Sequence, residues 1–355
     1  MNKRGNTGRR EFLKVIGGMA LGGAVLPAAG AVRILLPDDM LMNDNIGQGG
    51  YEPSYLELHR SGSLKERAEI LWDIMEMCTL CPRECKKERL RGQRGDCRAT
   101  AELEISSYHP HFGEERELVG RNGSGTIFFT NCSLHCVFCI NYDVSQMGWG
   151  SRESISSLAG MMLSLQRRGC PNINLVTPTH YVAHILKAVD EAAGKGLKVP
   201  LVYNTCGWEK KDVLQLLDGV VDIYLADFKY DDAAAADKYS PGAKTYPEVT
   251  KTALLEMHRQ VGVARADSKT GLMNRGLMIR HLVMPNNVAR SDKVMQWIGK
   301  NLPQDTYVNI MSQYTPMFRA NRYPEISRSI TRREYEAAVA AARQAGLTNL
   351  RLQGS

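Results

Sequence analysis

Long apolar runs are scarce in this 355-residue chain; the one from Val15 to Val25 is too short and too rich in glycine to read as a membrane span. Charge of one sign is also scarce. The net charge of +7 falls to about +3 once residues 1–31, with five basic side chains and one acidic one, are set aside. That balance is not that of a nucleic-acid-binding protein, and no nucleic-acid partner is expected. Cysteines are not dispersed as in a disulfide framework. Seven of the nine lie in two tight clusters, which favours metal ligation. Periodicity is missing from residues 32–60, where Asp38-Asp39, Gly47 and Gly49-Gly50 read as a tether.

What is present begins with a targeting pattern. Arg9-Arg10-Glu11-Phe12-Leu13-Lys14 is a twin-arginine sequence, and Ala29-Gly30-Ala31 is a small-residue cleavage site. Residues 1–31 read as a twin-arginine signal and 32–62 as the tether, so a periplasmic or membrane-anchored protein is expected. The alternatives are a cytoplasmic protein with a basic N-terminus, an uncleaved anchor, or a start at Met40.

Cys132, Cys136 and Cys139 form a C-x3-C-x2-C motif. Three thiolates at that spacing can hold three irons of a [4Fe-4S] cluster and leave the fourth iron open, whereas a cluster built only for electron transfer takes four cysteines. A zinc site completed by His135, which lies inside the loop, and a set of buried thiols are the alternatives. The flanking stretches are Gly123–Thr130, Ile140–Gln146, Asn172–His180, Val202–Thr205, Asp222–Lys229 and Ile279–Pro285. Motif and flanks together resemble the radical S-adenosylmethionine (SAM) enzymes, and among them the homologues of pyruvate formate-lyase activating enzyme. The resemblance covers roughly residues 70–355.

Short apolar runs near 126–130, 172–176, 199–204, 222–228, 277–284 and 306–312 alternate with helical segments near 155–168, 180–194, 209–217, 246–262, 291–300 and 331–345. Such alternation predicts an α/β fold with a parallel sheet. Six units are too few for a complete eightfold barrel; the resemblance implies a partial (β/α)6 TIM-type barrel over 121–355. Its chemistry belongs at the C-terminal strand ends, where the three-cysteine loop begins.

The resemblance implies a [4Fe-4S] cluster and SAM as cofactors and a ferredoxin- or flavodoxin-like reductant. It implies reductive cleavage of SAM to a 5′-deoxyadenosyl radical. A protein substrate would make the chain an activase that installs a glycyl radical; a small molecule or peptide would make it a tailoring enzyme. SAM is made in the cytoplasm, which sits uneasily with export. The D-x-K pair Asp227 and Lys229 is placed around SAM by the same resemblance. Asn174 and Thr177 stand where many radical SAM enzymes carry a glycine-rich G-G-E segment. Asn204 ends a strand, and Arg280 offers a planar fork to a carboxylate, while neighbouring His281 faces the opposite side. Thr179 reads as a helix cap, and His180, Cys170 and Cys206 as structural, with Cys206 at the rim. The competing class is a non-enzymatic iron–sulfur electron carrier or zinc-stapled binding protein.

Residues 63–120 form a second unit. Ser63-Leu64-Lys65-Glu66 has the form of a capping box opening a helix over about 63–77. Cys78, Cys81, Cys85 and Cys97 follow as C-x2-C-x3-C-x11-C, four thiolates that suit structural zinc or an auxiliary [4Fe-4S] cluster. Disulfides are the alternative for a protein matured outside the cytoplasm. The surrounding arginines and lysines read as a solvated surface or as a positive field for the thiolates.

Overall fold

The computed structural model describes residues 50–353; the twin-arginine segment and the tether up to residue 49 lie outside the described residues. Runs rich in Val, Ile, Leu and Tyr build a nine-stranded sheet: β1 Leu103–His111, β2 Ser124–Phe129, β3 Ser151–Glu153, β4 Ile173–Val176, β5 Leu201–Thr205, β6 Ile223–Asp227, β7 Gly276–Leu282, β8 Tyr307–Met311 and β9 Leu350–Leu352. The order is β3-β1-β2-β4-β5-β6-β7-β8-β9. From β2 through β9 in that order all pairings are parallel, while β1 runs antiparallel to both β2 and β3. Helices Ile155–Arg167, Val182–Gly194, Lys211–Leu216, Tyr246–Val261, Ser291–Asn301 and Arg332–Gln344 connect successive parallel strands. The protein is a mixed α/β fold with a mostly parallel sheet.

Strand alternation divides the core. Tyr224, Ala226 and Phe228 enter the large apolar layer shared with the helices, whereas Ile223 and Leu225 join Leu118, Val202, Met278 and Tyr307 on the other face. Burial on both faces explains why these strands read as continuous apolar runs. Each fully buried large side chain contributes roughly 1.5–3 kcal/mol. No helix among the described residues is long and apolar enough to cross a membrane.

Three local expectations are corrected. Within the segment read as a tether, Tyr55–Ser61 is helical. Its one turn of apolar contact is too short for a periodic signal, but Tyr55 is buried and its hydroxyl donates to the Val199 carbonyl at 3.0 Å. The capping box at Ser63 does not form. Gly62, at φ 80°, ends the first helix and stands at the head of the second, Ser63–Asp73, with Ser63 already helical. A true box opens the last helix instead, between Thr331 and Glu334. Finally, β1, β3 and β9 add to the six expected strands. Pro110 obscures β1, and three-residue strands leave little pattern to read.

Candidate functional site

The C-terminal ends of the parallel strands converge on a cavity of about 290 Å3. After β2 the chain turns through Asn131, at φ 68°, into the loop carrying Cys132, Cys136 and Cys139, all three of which line the cavity. Thr177 enters from β4, Asn204 and Cys206 from β5, Asp227 and Lys229 from β6, and Arg280 from β7. Of the residues singled out for SAM, Asn174 alone does not line the cavity. It is buried beneath, beside Glu114, and neither amide atom reaches a hydrogen-bond partner. Thr177 is held at φ 61°, costly for a β-branched residue, while its N–H donates to the Asn204 carbonyl at 2.9 Å.

Opposite charges meet on this wall. Arg280 Nε donates to Asp227 Oδ1 at 2.8 Å, and its Nη2 to Asn204 Oδ1 at 2.7 Å. Lys229 Nζ donates to Asp227 Oδ2 at 2.6 Å. Glu114 Oε2 lies 3.4 Å from Arg280 Nη1. Burial works against an ionised Asp227, but Arg280 and Lys229 outweigh it and hold the carboxyl below its ordinary pKa. Burial likewise opposes the charge on Lys229, yet Asp227 and the Cys136 sulfur keep its pKa raised. Glu114 is pushed up by burial, against the pull of Arg280.

Each of the three sulfurs has a polar neighbour. The Leu134 N–H donates to Cys132 at 3.4 Å and the Ser240 hydroxyl to Cys136 at 3.3 Å, and Cys139 lies 3.1 Å from the Ser145 hydroxyl. Burial raises Cys136 to about 12 and also raises Cys139. Cys132 is lowered instead, because the Cys206 thiol hydrogen-bonds to it. Among the described residues no three His, Cys, Asp or Glu side chains are grouped as a single-ion site.

Other candidates fall outside the cavity. His135, at φ 61°, does not line it; burial and the nearby Arg83 and Arg98 push its pKa down to about 4. His180 is buried with Nε2 2.7 Å from the Thr130 carbonyl, and His281 bridges the Phe228 carbonyl and the Ser291 hydroxyl on the far face of β7. Thr179 caps no helix; its hydroxyl donates to Glu209 Oε1 at 2.6 Å. Cys170 is buried at the other end of the sheet, beside the Asn122 carbonyl. Glu114, Ser145 and Ser240 were not legible as site residues: Glu114 and Ser240 lie in irregular segments, and Ser145 ends the single-turn helix Tyr142–Ser145.

Cys78, Cys81, Cys85 and Cys97 lie in a separate segment that packs against the three-cysteine loop. Arg83 donates to the backbone carbonyls of Ser133, Leu134 and Pro241. The Cys78 N–H pairs with the Lys87 carbonyl, and Gly95 with Ala99, closing two tight loops.

Fold and site together define a mixed α/β protein with a cysteine-lined polar cavity at the ends of its parallel strands. No protein-family model matches the chain. It is 31% identical over 301 residues to "Uncharacterized protein MJ0674" of Methanocaldococcus jannaschii, with 82% of each chain covered. The chain belongs to the family of that protein.

Proposed function

We propose that this protein is a radical SAM enzyme, with the parallel part of its sheet forming an open partial barrel around the reacting centre. The observation that carries the reading is the presence of Cys132, Cys136 and Cys139 in one cavity with Asp227, Lys229, Arg280, Asn204 and Thr177. The donor set fits a [4Fe-4S] cluster: three sulfurs line one volume, each beside a hydrogen-bonding group, and His135, the fourth ligand a zinc would take, does not line it. Bound there, cluster and SAM together supply a reducing centre that generates a 5′-deoxyadenosyl radical from SAM.

The chain's own part is to bind and shield. Arg280 presents a guanidinium edge to the cavity wall, and Asp227 is ionised to balance it and Lys229. Asn204 and the strained Thr177 offer neutral hydrogen-bonding groups across the same wall. Phe138, Leu282, Met311 and Tyr314 close the apolar side and exclude water. A ferredoxin- or flavodoxin-like reductant completes the reading. The substrate is a protein, for a glycyl-radical activase, or a small molecule.

The test is 5′-deoxyadenosine release from SAM by anaerobically reconstituted, dithionite-reduced protein, beside the Cys136→Ala variant. Release by the parent and its loss in the variant is expected. Equal release from both would sink the assignment, and none from parent protein with a verified, reducible cluster would favour an electron carrier.

A further inference from the structure

We propose that Cys78, Cys81, Cys85 and Cys97 bind a metal centre as thiolates, an iron–sulfur cluster or a single zinc, with the buried Arg89 guanidinium as its counter-charge. This does not rest on the reading of the cavity. Arg89 is fully buried, and among the described residues no carboxylate lies within salt-bridge distance of it. An isolated buried cation is strongly unfavourable. Its Nε and Nη2 donate to the Thr100 carbonyl, which carries no net charge, and its Nη1 points at the Cys78 sulfur at 3.7 Å. The buried residues around it include His180 and His184, and burial keeps both neutral at ordinary pH, with pKa values of about 3 and about 4. The negative charge that Arg89 needs is therefore on sulfur. Four thiolates around a cluster or around one zinc supply a net negative centre, whereas four thiols or two disulfides supply none.

The backbone is shaped to the same end. A Cβ at Gly95 would stand 3.1 Å from the Cys97 sulfur and 3.6 Å from that of Cys85, so glycine leaves two sulfurs open to a common space. Glu84, Lys86 and Arg98 all take positive φ to turn the loops about that space. Lys86, Lys87, Arg91 and Arg94 are exposed around the segment and add to the positive field.

The experiment uses the full chain with Cys132, Cys136 and Cys139 all changed to alanine, purified anaerobically and reconstituted with iron and sulfide. Metal analysis then counts this site alone. About four irons per chain, with cluster absorption that bleaches on reduction, or one zinc per chain, is the expected result, and the count tells the two apart. A metal-free protein with its four thiols oxidised in pairs would overturn the proposal. In the same background Arg89→Met is expected to lower the metal content, or the midpoint potential where the metal is a cluster, and Arg89→Lys to restore it, since removing a nearby positive charge weakens a net negative centre and disfavours its more negative reduced state. A potential and metal content unchanged in Arg89→Met would remove Arg89 from the site. Loss of metal in both variants would mean that shape, not charge, is what Arg89 supplies. Because the background lacks the cavity cysteines, these results are independent of whether the parent cleaves SAM.

Discussion

Gly207 decides how closely the cavity's walls approach. It follows Cys206, has φ 81°, and a Cβ there would stand 2.0 Å from the Asp227 carbonyl oxygen. Backbone cannot yield as a flexible side chain does, and positive φ is itself costly for alanine. The close approach lets the Tyr246 hydroxyl lie 2.8 Å from the Cys206 carbonyl and 2.9 Å from that of Asp227, joining the ends of β5 and β6. Gly207→Ala is expected to lower the unfolding free energy by about 2 kcal/mol or more, read from urea midpoints. A change below about 0.5 kcal/mol would mean that the two strand ends can separate freely. The neighbouring charges follow the same logic. Asp227 is fixed by two cations, so its orientation toward the cavity is set before any ligand arrives.

At the scale of elements, the parallel strands and their helices were legible because burial on both faces leaves runs of Val, Ile and Leu between turn residues. Asp227 and Lys229 were legible for the opposite reason, as charges ending an apolar strand. The alternation in β7 likewise placed Arg280 toward the cavity and His281 away from it. What could not be read depends on contacts distant in sequence. Glu114 matters only because Arg280, far along the chain, comes to it, and Ser63 fails as a cap only because Gly62 serves both helices. Glu209, in the connection after β5, is another such residue. Its Oε1 accepts from the Thr179 and Thr205 hydroxyls, while Oε2 is buried without a partner. Burial raises its pKa to about 7, the two hydroxyls oppose the shift, and Cys132 adds to it. A carboxyl raised on folding contributes stability below its unfolded pKa and loses it as pH rises through the folded one. The window therefore runs from about pH 4.3 to about pH 7, and this group removes up to roughly 4 kcal/mol across it. Glu209→Gln is expected to flatten that slope in urea midpoints measured from pH 5 to pH 8. An identical slope in parent and variant would place the titration elsewhere.

Over the whole molecule, the two ends of the sheet carry different tasks. The C-terminal strand ends hold the cavity. At the opposite end Asp222, fully buried, gathers the start of the described chain. Its Oδ1 accepts from the Tyr51 hydroxyl at 2.6 Å and the Ser54 N–H at 3.0 Å, and its Oδ2 from the Leu201 N–H at 2.9 Å. Arg275 adds a bond to the Ser54 hydroxyl at 2.7 Å. Burial raises the pKa of Asp222, and these donors oppose the shift, so the carboxylate and its three partners hold one another in place. Asp222→Ala would leave buried donors without an acceptor, at a cost of about 1–3 kcal/mol for each one that water cannot reach. The variant is expected to unfold at lower urea and to be cut sooner by protease within residues 50–62. Because the cavity lies at the other end of the strands, the iron that the proposed cluster brings after reconstitution under folding conditions is expected to match the parent's. A parallel loss of iron and stability would show that the two ends are coupled through the sheet. Unchanged stability would show that the Tyr51–Ser54 segment is held by the apolar contacts of Tyr55 alone.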